Sequence, residues 1–131
     1  MSWIDNNNNI LLSQKSLDYL WEKQRIISEN IANNDTPGYK AKEITFEDQL
    51  IRNLDKFRNQ ERPKKAEIRE AIMDTKITVD TSDEESNRLD GNNVNLDVEE
   101  VELARAQLQY QYQVYQINDQ FNRLRSAIGK K

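Results

Sequence analysis

From Leu103 onward, apolar side chains return at alternating intervals of four and three: Leu103, Tyr110, Val114, Ile117, Phe121, Leu124 and Ile128, with Gln107 the one polar entry. An interval averaging 3.5 lies along one stripe of a helix and fits no strand, whose faces repeat every two residues. A helix of about 30 residues is therefore expected over 94–131, with its stripe covered by another helix. Asp97 fits the N-cap, Glu100 follows three residues on, and Val98 and Val101 begin the apolar positions. Gly129 suits the stop, and Lys130 and Lys131 suit the negative helix end. A second stripe, Val101, Leu108, Tyr112 and Tyr115, lies elsewhere on the same helix, so more than one neighbour is implied.

The opposite end of the chain carries a partner. An asparagine run at 6–9 reads as a lead-in with an N-cap at its end. Ile10, Leu17, Leu20, Ile27 and Ile31 then share a seam, with Trp21 beside it; Ser13, Gln24 and Asn34 interrupt it. Asn33, Asn34, Asp35, Thr36, Pro37 and Gly38 end the helix, followed by Tyr39. Asparagine tolerates the left-handed conformation that closes helices, and Pro37 disfavours helix at Thr36. Pro37-Gly38 suits the central pair of a type II turn. At 1.5 Å per residue this helix spans about 36 Å against about 45–50 Å for the last one, which leaves surplus surface for other chains.

Between the ends the signals are shorter. Residues 39–44 read as extended. Thr45 can cap a short helix, with Asp48 three residues on and Phe46, Leu50, Leu54 and Phe57 on one face. From 59 to 93 the pattern fades into charges, Pro63 and Gly91, and a flexible loop is expected; Ile77-Thr78-Val79 is a candidate short strand. The division is 1–38, helix and turn; 39–58, extended stretch and short helix; 59–93, variable loop; 94–131, long helix. The fold class is all-α, an antiparallel coiled-coil-like pair of end helices with a short third helix.

Composition narrows the chemistry. The chain has no Cys and no His, so thiolate and imidazole chemistry is absent. Hydrophobic residues make up 36%, below the roughly 45–50% usual for globular domains, so a thick core is not expected. A net charge of −4 argues against nucleic acid. Residues 1–9 lack a basic region followed by an apolar run, so no cleavable secretory signal is read there, and no stretch suits membrane insertion. Residues 90–97 are oxygen-rich like a calcium loop, but Gly91 stands second and Val101 twelfth from Asp90, so a turn before a capped helix is the better reading. The tyrosines at helical spacing are packing residues, and Glu99, Glu100 and Glu102 suit a first helical turn. No catalytic, cofactor-binding or metal-binding residues are assigned.

The most specific stretch is ISENIANNDTPGYK at 27–40. It resembles the N-terminal signature of the flagellar rod, hook and hook-associated protein family, and ITFEDQL at 44–50 with RLDGNNVNLD at 88–97 resembles its proximal rod members. The short middle fits them too. The resemblance implies a structural part of the bacterial flagellar basal body, periplasmic and exported unfolded through the type III apparatus without a cleaved signal. It implies helical assembly into the rod that transmits torque and walls the export channel, with the end helices paired as a coiled coil. Implied partners are other rod proteins, the rod–ring junction protein, the membrane ring and copies of the chain itself. From the residues alone, a cytoplasmic coiled-coil adaptor or flagellar export chaperone is the alternative; presence in basal bodies discriminates.

Overall fold

The computed structural model describes residues 8–129. The chain order is α1 (Asn8–Ala32), β1 (Lys42–Thr45), α2 (Glu47–Asp55), α3 (Lys65–Asp74), β2 (Thr78–Thr81) and α4 (Leu96–Gly129). Most residues are helical, and α1 packs along α4. The pair is antiparallel: Ser13 lies by Gln120 and Asn30 by Glu99. With 25 residues against 34, α1 is about 37 Å long and α4 about 51 Å.

The middle departs from expectation. Residues 59–93 were expected to form a flexible loop; they include α3 and β2. Helix α3 buries Ala71 and Ile72. Its C-terminal end is tied to α1 by Lys15 Nζ, which donates to the carbonyls of Met73 (2.8 Å) and Thr75 (2.9 Å). Asn53 Nδ2 donates to Thr75 Oγ1, and the Lys76 amide to Gln49 Oε1. Two buried side chains make no periodic stripe, and distant polar partners supply what local pattern lacks. The two strands pair antiparallel, with Ile44 opposite Val79, adding a small sheet to the expected all-helical architecture. One turn along α1 from Lys15, Tyr19 joins Leu20 and Phe46 in a core cluster, with Tyr19 and Phe46 rings 5.2 Å apart.

Two caps are corrected. Thr45 is the last residue of β1, and Phe46 takes the N-cap position of α2 without a side-chain hydrogen bond. For α4, Asn95 rather than Asp97 caps the helix: its Oδ1 accepts from the Val98 amide at 3.3 Å, and Asp97 joins the first turn. Asn95 reaches the orphan amides because helical geometry begins at Leu96. The expected role of Lys130 and Lys131, and the asparagines at 6 and 7, lie outside the described residues.

Candidate assembly surfaces and the signature turn

The α4 seam is rotated from the sequence reading. Leu103, Tyr110, Ile117 and Leu124 are half-buried as members of it, but the alternating positions are Glu99, Ala106, Gln113 and Gln120. Ala106 is fully buried, while Gln107 is exposed. Val114 is half-buried, and Phe121 and Ile128 are 42% and 59% exposed. Polar positions meet polar positions across the pair. Ser13 Oγ donates to Gln120 Oε1 (3.3 Å), and Asn30 Nδ2 to Glu99 Oε2 (3.3 Å). The interruptions of the two seams are thus complementary, which is how single polar positions set register in paired helices. On α1, Ile10, Leu20 and Ile27 are buried and Leu17 and Ile31 half-buried. Tyr19 and Ile26, which the seam omitted, are also buried.

The far side of α4 carries Val98, Val101, Leu108, Tyr112 and Tyr115, all more than half exposed. Part of this stripe borders an open groove of about 430 Å³ whose walls include Tyr19, Phe46 and Leu50. A row of apolar side chains along one straight helix exceeds the scattered exposure normal for a monomer.

The turn after α1 is held by the segment preceding α4. The Tyr39 amide donates to the Thr36 carbonyl at 3.2 Å, closing a turn with Pro37 and Gly38 at its centre. Gly38 has φ +72°, the left-handed value a type II turn requires there. Asn33 Nδ2 donates to the Glu29 carbonyl, and Thr36 Oγ1 to Asn33 Oδ1. Asp35, Thr36, Pro37 and Gly38 are exposed; Asn33, Asn34 and Tyr39 are half-buried. Asn92 is fully buried against the inner side. Its Nδ2 donates to the carbonyls of Asn33 (2.8 Å), Asn34 (3.1 Å) and Thr36 (2.9 Å), and its Oδ1 accepts from the Val94 amide (2.8 Å). Arg88 adds a hydrogen bond to the Asn34 carbonyl at 2.7 Å and pairs with Asp90. The Gly38 amide donates to the Asp90 carbonyl, and the Asn93 amide to the Tyr39 carbonyl.

Behind the turn, Asn30 joins α1, β1 and α4. Its Oδ1 accepts from Tyr39 Oη and the Lys42 amide, both at 2.9 Å, and its Nδ2 donates to the Lys42 carbonyl. Lys42 also hydrogen-bonds and pairs with Glu29, holding that carboxyl below its usual range. Burial raises Glu99 above that range, opposed by its bond from Asn30 and assisted by Glu102 and Glu43. A raised folded-state value means that Glu99 contributes its full stability below the ordinary carboxylate range and loses it as pH rises through the folded value. Glu99→Gln is therefore expected to raise the midpoint of thermal unfolding at neutral pH, the gain shrinking as both chains are taken to about pH 4. Unfolding followed by circular dichroism against pH checks this; a gain equal at both pH values would refute it.

Arg88, Asn92, Asn30 and Glu99 were not singled out as functional from sequence. The available signal was the asparagine-rich stretch at 92–95, since short amide side chains replace backbone partners in irregular segments. Among the described residues, no group of three or more acidic side chains is placed to hold a metal ion, and no helix is long and apolar enough to cross a membrane.

Comparison with known proteins decides the family. The family described as "Flagella basal body rod protein" matches residues 22–40. The flagellar basal body rod protein FlgB of Bacillus subtilis is 36% identical over 109 residues, covering 81% of each chain. This chain belongs to the FlgB family of flagellar basal-body rod proteins. FlgB of Borrelia hermsii is 32% identical over 76% of this chain and 79% of its own, and FlgB of Escherichia coli 27% identical over 88% of each. The family match thus spans the end of α1 and the turn, one half of this chain's clasp, whose other half, residues 86–95, lies outside it.

Proposed function

We propose that this chain is a structural subunit of the proximal rod, assembling helically with copies of itself and other rod proteins, transmitting torque and walling the export channel. The carrying observation is the exposed stripe of α4: Val98, Val101, Leu108, Tyr112 and Tyr115 all stand more than half exposed along one face. Burying such side chains between subunits stabilises by roughly 1.5–3 kcal/mol each before the cost of association. The α1–α4 pair supplies a stiff rod-like unit, and the stripe supplies the lateral contact. This reading includes export without a cleaved signal, contact with the rod–ring junction protein and membrane ring, a periplasmic setting and no catalysis.

Replacing Leu108 and Tyr112 together by Asp tests it. Both side chains are exposed, so the chain is expected to fold with unchanged helix content. Rods are expected to be missing from purified basal bodies, and swimming in soft agar to be lost. Normal basal bodies and swimming in the double variant would refute the stripe as an assembly surface.

A further inference from the structure

Charge is unevenly placed along the molecule. Residues 56–69 hold six basic side chains against two acidic ones, in a chain of net charge −4. Residues 80–102 hold nine acidic side chains against one basic, Arg88. The fold puts these segments at opposite ends. Asn8, the first residue of α1, donates through Nδ2 to the carbonyl of Lys65, so the α2–α3 corner sits at the start of α1. Arg88 bonds the Asn34 carbonyl just beyond the end of α1, and the Glu84 carbonyl accepts from Asn93 in the same clasp. The ends are separated by the length of α1, about 37 Å, several Debye lengths at physiological salt.

The charges of the corner are free to act on a partner. Lys56, Arg62, Lys64 and Lys65 are exposed, and among the described residues none has an ion-pair partner; Arg58 pairs only with its neighbour Asp55. At the far end, Asp83, Glu84, Glu85 and Asp97 are likewise exposed and unpaired among the described residues. Each end also presents apolar side chains beside its charges: Ile51 at 65% exposure near the basic corner, Leu89 fully exposed near the acidic one. Leu89 is held between Arg88 and Asp90 in the hydrogen-bonded clasp, so it is displayed on an ordered loop. Neither end is self-complementary: two basic corners repel, as do two acidic ends.

We propose that the basic α2–α3 corner at 56–65 docks the acidic end, residues 83–85 and 97, of a second copy of the same chain. Because the two surfaces differ, the contact is heterologous and repeats from copy to copy, forming a ring or an open helix according to the rotation per step. This deepens the rod-subunit reading and rests on it for its biological setting. It is distinct from the apolar stripe of α4: the stripe supplies burial, and the charged ends supply direction and register.

The purified full-length chain tests it. Sedimentation velocity is expected to show self-association that weakens at least about tenfold between 50 and 500 mM NaCl, since exposed charges are screened. Arg62→Glu with Lys64→Glu brings the corner at 56–65 to zero net charge and leaves the acidic end intact, and Glu84→Lys with Glu85→Lys does the same to residues 83–85 and 97 and leaves the corner intact. Each variant alone is expected to associate at least about tenfold more weakly than the parent, and an equimolar mixture to associate more strongly than either. All four positions are exposed, and circular dichroism matching the parent confirms folding. Association indifferent to salt, variants that associate alone as the parent does, or a mixture that associates no more strongly than either variant would each overturn the proposal. So would a parent chain that stays monomeric but binds phosphatidylglycerol vesicles through the corner, which would assign it to a membrane surface. Failure here with the chain present in basal bodies sinks only this contact. Absence from basal bodies sinks the rod reading itself.

Discussion

Asn92→Ala is expected to lower the stability of the folded chain by about 3–4 kcal/mol, with unfolding followed by circular dichroism in urea. Asn92 is fully buried and serves three carbonyls of the turn with one amide group, while its oxygen holds the Val94 amide. Each net hydrogen bond contributes about 0.5–1.5 kcal/mol, and each buried group left unpaired costs about 1–3 kcal/mol. Three acceptors and one donor lose this partner together, although Arg88 still reaches the Asn34 carbonyl. Against a total stability of about 5–15 kcal/mol for a small domain, that loss is large. Asn92→Asp separates donor from acceptor: it keeps the oxygen facing Val94 and sets a carboxylate against three carbonyls, so it is expected to be at least as damaging. A cost under about 1 kcal/mol for both would mean that water replaces the amide at little penalty.

The second large effect distinguishes two adjacent residues of α4. Ala106→Glu is expected to cost more than about 3 kcal/mol and to loosen the helix pair, because a carboxylate cannot be desolvated there without a partner. Gln107→Glu is expected to change stability by less than about 0.5 kcal/mol, as exposed substitutions do. Ala106 is the fully buried side chain of the α1-facing seam, and Gln107 faces solvent. Equal effects at the two positions would mean that α4 does not hold this rotation about α1 in solution.

The comparison of 106 with 107 also shows how far the sequence reaches. Both choices preserve intervals of three and four, so periodicity finds the helix but leaves its rotation open by one residue. Apolarity does not settle the choice, because α4 has more apolar side chains than one seam uses. Polar pairing settles it. Gln120 meets Ser13 and Glu99 meets Asn30 only when Ala106 and Gln113 face α1, and this leaves Phe121 and Ile128 exposed. Helix α3 was illegible for the opposite reason. Its buried set is Ala71 and Ile72, too small for a stripe, and its C-terminal carbonyls depend on Lys15, about 60 residues earlier in the chain.

What the sequence by itself determined is local. The two end helices follow from apolar spacing, and the turn from Pro37 and Gly38, because backbone geometry constrains those residues wherever they stand. The resemblance of residues 27–40, likewise a property of contiguous residues, leads to the FlgB family, with the Bacillus subtilis relative 36% identical over 81% of the chain. The tertiary structure decided which stripe of α4 faces inward, how Asn92 and Arg88 clasp the turn from more than 50 residues away, and which charges gather at each end. These depend on groups meeting across the fold. A hydrogen-bond donor in sequence names no acceptor; the partner appears only when packing brings the two together.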